Sequence, residues 1–315
     1  HLDDFDALIR TQIAAGDEPC AVHFAEDALG LLRNRGFSVR EARHYFSFFY
    51  QLRRAFYFIH HSLVGCSTSM EQLRCRLWNA VFTYNTRWYE RLLWDRLEDF
   101  SIFLLGETGT GKGTAAAAIG RSGFIPFDEK RKRFAESFTR NFISINLSQF
   151  PEALIESELF GHRKGAFTGA VEDHHGVFAR CRPYGAIFLD EIGDVSVPVQ
   201  IKLLKVLQER TFSRVGGHQT LRFQGRVIAA TNQPLSELRR QGAFRDDFYY
   251  RLCSDVITIP PLRQQIREDP QTLRLLLEKS ITRIVGQSAP DLVRTAEIIL
   301  NNELGDDYLW PGNVR

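Results

Sequence analysis

The apolar run Ser101-Ile102-Phe103-Leu104-Leu105 leads directly into Gly106-Glu107-Thr108-Gly109-Thr110-Gly111-Lys112-Gly113 and then into Ala115-Ala116-Ala117-Ala118. No other stretch constrains the fold as tightly. The apolar run suits a buried strand and the alanines suit a helix. The glycines between them let the backbone wrap an anion with its N–H groups turned inward, and the helix start adds partial positive charge. Lys112 then reaches the β- and γ-phosphates of a nucleotide, with Thr114 close behind it. One residue departs from the pattern. Gly113 stands where a Ser or Thr would hold Mg²⁺, and Thr114 is one place too late to substitute directly, so the metal must lean on other ligands.

Further strand candidates follow at Phe142–Ile145, Ala186–Leu189, Arg226–Ala230 and Val256–Ile259, alternating with helical patterns. That alternation predicts βαβ crossovers and a parallel sheet in an α/β fold. The run Phe188-Leu189 ends in Asp190-Glu191, which places two carboxylates at the C-terminal edge of the sheet, where ligands bind. Asp190 suits a metal ligand. Glu191 suits the group that orients or deprotonates a water.

Before residue 63 the chain reads as helix with short breaks. Its segment Tyr45–Tyr50, followed by Phe56-Tyr57-Phe58, is unusually aromatic and is interleaved with Arg40, Arg43, Arg53 and Arg54. Two readings stand: a helix packed against a neighbour, and a surface on which nucleic-acid bases stack. A second helical stretch is expected over 69–99, and helices alone over 265–304. Of 315 residues, 40 are basic and 38 acidic, for a formal charge of +2, which argues against a nucleic-acid coat. No apolar run approaches the ~18 residues that span a bilayer. The five cysteines are scattered without a CxxC, which fits a reducing compartment better than a disulfide framework or a zinc site. A cytoplasmic protein is expected.

The segment Glu156-Ser157-Glu158-Leu159-Phe160-Gly161-His162 followed by Gly165-Ala166-Phe167-Thr168-Gly169-Ala170 closely resembles the signature loop of the sigma-54-dependent transcription activators, bacterial enhancer-binding proteins of the AAA+ ATPase superfamily. The resemblance continues through Phe188–Asp194, Lys202–Glu209, Arg214–Gly217, Ala229–Asn232, Phe244–Leu252, Pro260–Arg263 and Trp310–Arg315. It covers roughly residues 63–315. It implies a P-loop NTPase with a central parallel sheet and a small helical lid, binding ATP and Mg²⁺ and assembling as a ring, in all expectation a hexamer. It implies that Gly165, Ala166, Phe167, Thr168, Gly169 and Ala170 touch the sigma factor, with Phe167 and Thr168 at the contact. A bulky apolar residue among Gly and Ala has little to pack on, so a partner explains it better than a core. By the same resemblance Arg245 and Arg251 reach across a subunit boundary to the neighbour's γ-phosphate, although local pairing with Asp246, Asp247 or Asp255 also suits them. Asn146 matches a polar switch that holds the catalytic glutamate. Thr231 and Asn232 match the first nucleotide sensor and Arg315 the second.

The expected layout is a helical arm over 1–62, an α/β ATPase core over 63–262 and a helical lid over 263–315 that is cut short. The expected activity is ATP hydrolysis that remodels sigma-54 RNA polymerase so that a promoter opens. Two rivals are a AAA+ remodeller of another client and a regulatory module that holds ATP with little turnover. DNA contacts are expected only from a module that would follow the lid, and no membrane contact is expected. Relative to the family, the stretches 83–99 and 121–141 look inserted. The basic run Lys130–Arg133 reads as a solvated loop, and Arg163 stands in place of a usual acidic residue.

Overall fold

The computed structural model describes residues 1–305 and 308–314. Its centre is a five-stranded parallel sheet in the order β4-β5-β8-β1-β9. The strands are β1 (Ile102–Leu105), β4 (Phe142–Asn146), β5 (Gly185–Asp190), β8 (Gly225–Thr231) and β9 (Asp255–Thr258). Two small antiparallel hairpins lie outside it: β2 (Phe127–Asp128) with β3 (Arg133–Phe134), and β6 (Thr211–Ser213) with β7 (Thr220–Arg222). The central strands are apolar on both faces because helices cover both. Ile102 and Leu104 of β1 join one apolar cluster, while Phe103 between them joins the other. The two-residue period of the strand thus divides the molecule into two cores.

The first core is filled by α1 (Leu2–Ala15), α2 (Ala25–Asn34), α3 (Val39–Ser62), α4 (Thr68–Phe82) and the phosphate-loop helix α6 (Lys112–Gly120). A capping box starts α3: the Ser38 side chain accepts from the Glu41 amide, and the Glu41 carboxylate accepts from the Ser38 amide at 2.8 Å. Phe46, Tyr50, Arg54 and Phe58 recur at four-residue spacing and are all buried. The aromatic segment is therefore a packed helix. The Phe46 ring meets Phe127 at 4.9 Å and Phe134 at 5.8 Å, and only Phe49 and Phe56 of its large rings stay exposed. The run Lys130–Arg133 is less free than a solvated loop: the Val22 amide donates to the Lys132 carbonyl, and the Lys132 ammonium pairs with Glu26 at 2.6 Å.

The helical stretch expected over 69–99 breaks. Helix α4 stops at Thr83, whose φ of 62 and ψ of 177 cannot continue a helix. Asn85 then caps a single turn, α5 (Thr86–Trp88), which runs into a π-helical turn at Tyr89–Leu93. The second core lies under α7 (Glu152–Phe160), α8 (Val177–Arg180), α9 (Val197–Glu209), α10 (Leu235–Arg240) and α11 (Asp246–Leu252). After β9 come α12 (Leu262–Glu268), α13 (Gln271–Val285) and α14 (Pro290–Glu303), with no strand among the described residues there. No helix among the described residues is long and apolar enough to cross a membrane.

Candidate functional site

The loop 106–111 joins the C-terminal end of β1 to α6 at the edge of the sheet. Gly109 and Gly111 hold φ 81 and φ 96, which a side chain would strain. Gly106 is needed for space, since a Cβ there would lie 2.8 Å from Thr110 Oγ1 and 3.3 Å from Ile259. The first backbone bond of the turn is made by the Ala115 amide to Gly111 O, so the amides of 112–114 precede the helical ladder and are donors at the positive end of α6. Lys112 is only 6% exposed. Its ammonium donates to Gly106 O at 2.9 Å and Glu107 O at 3.3 Å, and it lies 3.9 Å from Glu191 Oε1. A buried ammonium whose close partners are loop carbonyls is poised for an anion. Gly113 and Thr114 are both exposed on the first turn of α6.

Asp190 ends β5 beside this loop, and its carboxylate accepts the Glu191 amide at 3.1 Å. Glu191 is left-handed, φ 54 and ψ 48, an uncommon conformation for such a residue and one that concentrates at functional sites. Its carboxylate accepts the Asn232 amide at 3.2 Å, while the Asn232 side chain donates to Thr108 Oγ1 at 2.8 Å. Register explains the convergence. Thr231, fully buried at the end of β8, pairs with Leu105 at the end of β1, so the residues just past both strands meet. Thr231 Oγ1 accepts the Gln233 amide at 3.1 Å and fixes that turn.

Asn146 pairs in register with Asp190, but its carboxamide does not join Glu191 here. Its Oδ1 accepts from the Ser148 amide at 3.0 Å and the Ser148 hydroxyl at 2.7 Å, capping the turn 147–149. Arg245 forms the local pair: its guanidinium grips Asp247 at 3.0 and 2.6 Å and holds that carboxyl below the usual carboxylate range. Arg251 donates to Leu207 O at 2.8 Å. Arg245 is the N-cap of α11, and Arg251 lies in its last turn. Arg315 lies outside the described residues.

Sequence reasoning missed a clasp over the loop. Arg263 grips the Glu107 carboxylate at 2.7 and 2.5 Å, and Asn313 donates to Thr108 O at 2.9 Å while its Oδ1 accepts the Leu262 amide at 2.8 Å. The Val314 amide donates to Gly109 O at 3.2 Å. Hydrogen bonding to Arg263 first, and to Asn313 after it, holds the Glu107 carboxyl low against the opposing effect of burial. Beside the loop lies a cavity of about 230 Å³, lined by Leu63, Val64, Met70, Thr110, Thr114 and Leu276 among others. Its apolar walls come from three distant segments, so no local pattern announces it.

The signature loop 165–170 is closed on itself by the Gly165 amide to Ala170 O, 2.8 Å, with Gly165 and Gly169 left-handed. At its base Arg163 pairs with Asp173 at 2.6 Å, and the Lys164 amide donates to the same carboxylate. Phe167 is 38% exposed, and its ring edge meets the His162 ring at 4.9 Å, a partner from outside the Gly/Ala segment. The β6–β7 turn supports the loop: a Cβ on Gly216 would stand 2.7 Å from Ala166 Cβ.

This sheet order, loop and acidic strand end define a P-loop NTPase of AAA+ architecture. The Sigma-54 interaction domain family matches residues 89–259, and the chain belongs to that family, which marks the sigma-54-dependent transcription activators. The chain is 44% identical over 215 residues to a Nif-specific regulatory protein of Azotobacter vinelandii, covering 68% of this chain and 37% of that protein. It is 39% identical over 219 residues to the regulatory protein AtoC of Escherichia coli K12, covering 70% and 43%. It thus spans about two fifths of the length of these curated relatives. Among solved structures, NtrX from Brucella abortus aligns with TM-score 0.59 at 25% identity, covering 92% of this chain and 55% of that one. The same protein in complex with ATP aligns with TM-score 0.60 at 24% identity, covering 89% and 54%, a likeness of fold.

Proposed function

We propose that this chain hydrolyses ATP in a homo-oligomeric ring, a hexamer, and uses the cycle to move the 165–170 loop against sigma-54 RNA polymerase in the cytoplasm so that a promoter opens. The observation that carries the proposal is the convergence of the Lys112 ammonium, the Glu191 carboxylate and Asn232 at the mouth of the loop. The donors fit a triphosphate: a buried ammonium and the leading amides of α6, beside a cavity of mixed lining, Leu63, Val64, Met70 and Leu276 together with Gln265, Lys279 and Arg283, that is large enough for part of a base. Mg²⁺ would be held by Asp190 and would neutralise charge on the phosphate oxygens.

Each residue then has a task. Lys112 and the amides of 112–114 bind and align the β- and γ-phosphates. Glu191, held by the Asn232 amide, orients the attacking water and accepts its proton. Arg245 and Arg251 of the adjoining copy stabilise the charge that develops on the departing phosphate. In the isolated chain Arg245 is committed to Asp247, so hydrolysis depends on assembly breaking that pair. Asn232 touches both Glu191 and Thr108, which makes it sensitive to the occupant of the loop, and the β6–β7 turn carries any shift to Ala166.

The test joins turnover to capture. Lys112→Ala and Glu191→Ala are expected to abolish hydrolysis, and the wild type is expected to retain sigma-54 only with a transition-state analogue of ATP. Hydrolysis by either variant at the wild-type rate refutes the catalytic assignment. Normal hydrolysis without nucleotide-dependent retention of sigma-54 points to another client.

A further inference from the structure

We infer that Arg54, in the middle of α3, is a positioning residue for the phosphate loop, acting through the far end of α6. The helix that presents Lys112 and the loop amides is only nine residues long and has no basic residue in its last turn. The carbonyls of residues 121–123, the turn that follows its C-terminus, are instead taken up by α3. Arg54 donates to Arg121 O and Gly123 O, both at 2.7 Å, and Gln51 donates to Ser122 O at 2.9 Å. Gln51 also donates to the Tyr89 hydroxyl at 2.6 Å, which ties the π-helical turn into the same cluster.

Arg54 is completely buried, and no carboxylate among the described residues pairs with it. Its remaining neighbours are ring faces, Tyr50 at 4.5 Å and Phe138 at 5.7 Å. Burial brings its pKa down to about 10, so it is still charged at neutral pH. A guanidinium kept dry without a counter-ion is costly. Here the compensating partial negative charge comes from the Arg121 and Gly123 carbonyls just past the C-terminus of α6, an end where the helix dipole also favours a cation. The planar fork fixes two carbonyls at once, which a single-point ammonium would hold less rigidly. Packing leaves α6 little freedom otherwise: a Cβ on Gly120 would stand 2.3 Å from the Phe142 ring. The C-terminal anchor therefore sets where the N-terminal amides and Lys112 sit. Helix α3 becomes part of the nucleotide site without touching nucleotide.

This inference rests on the nucleotide site proposed above, and the test separates the two. Three forms of the whole chain are compared: wild type, Arg54→Met, and Phe46→Leu, which disturbs the same helix at its contact with Phe127 and Phe134. The readouts are amide hydrogen exchange without nucleotide, ADP affinity, and the division of any ATPase defect between KM and kcat. Arg54→Met is expected to speed exchange across 106–120 and to weaken ADP by on the order of tenfold, with the ATPase loss falling on KM first. Phe46→Leu is expected to change neither, at temperatures where both variants remain folded. If Arg54→Met does not fold, Gln51→Leu, which removes the bond to Ser122 O, is expected to give the same pattern at smaller size. Unchanged exchange over 106–120 in a folded variant overturns the inference, as does an equal effect from Phe46→Leu. Faster exchange over 106–120 in a chain whose wild type binds no ADP would uphold the mechanical role of Arg54 and refute the nucleotide site instead.

Discussion

Replacing Lys112 with methionine separates binding from folding. The ammonium is 6% exposed, with Gly106 O at 2.9 Å and Glu191 at 3.9 Å, so its contribution to folding is a modest local one. Against a phosphate oxygen at about 4 Å, an effective dielectric near 20 gives about 4 kcal/mol, or about a thousandfold in affinity. Part of this is offset because the ammonium must loosen its pairing with Glu191, leaving a net loss of about a hundredfold. The assay is a thermal melt with and without ADP. At a concentration one hundred times the wild-type Kd, bound ligand stabilises the wild type by about 2.7 kcal/mol, which moves the melt upward by roughly 5 °C. For Lys112→Met the same ADP gives about 0.4 kcal/mol, a shift under about 1 °C. Without ADP the two melts are expected to lie within about 2 °C of each other. A full ADP shift in Lys112→Met would refute the assignment. A collapse of the ligand-free melt would show instead that the lysine holds the loop together.

Other perturbations follow from the same geometry. Glu191→Asn suits the left-handed backbone at φ 54 better than glutamate does, so the variant is expected to melt at or above the wild type by up to about 1 kcal/mol while losing turnover; a clearly lower melt would show that the conformation carries no strain. Gly216→Val places a Cβ against Ala166 at φ 72; calorimetry is expected to give an unchanged ADP affinity, while nucleotide-dependent retention of sigma-54 is lost. Because Arg263 depresses the Glu107 pKa, that pair contributes above the unfolded carboxyl value of 4.5 and is lost as pH falls through the lower folded value. The NMR resonance of the Val314 amide is expected to shift on acidification below pH 4.5 and to lose that dependence in Glu107→Gln.

The phosphate loop was legible because its chemistry is written in consecutive residues. Strand, glycines, lysine and helix follow one another, and the backbone has one economical way to connect them. Asp190 and Glu191 were legible for the same reason, as charges ending an apolar strand. The clasp of Arg263 and Asn313 on Glu107 and Thr108 was not, because its partners stand 156 and 205 residues apart and only the folded lid brings them together. The cavity beside the loop draws on Val64, Thr110 and Leu276, again long-range. Aromatic density in α3 left two readings open until packing chose: Phe46, Phe48, Tyr50 and Phe58 turn inward onto the hairpin, α6 and one another. The break at Thr83 escaped the helical pattern because one residue of positive φ ends a helix without altering hydrophobic period. Register sets Asn146 beside Asp190, and a local hydroxyl takes its side chain in this structure.

The most direct measurement is the rate of ATP hydrolysis per chain across a protein concentration series, for the wild type and for Glu191→Gln. Catalysis completed by Arg245 and Arg251 of an adjoining copy predicts a specific rate that rises with concentration to a plateau, and no turnover in Glu191→Gln at any concentration. A specific rate independent of concentration, or one that survives in Glu191→Gln, would contradict it.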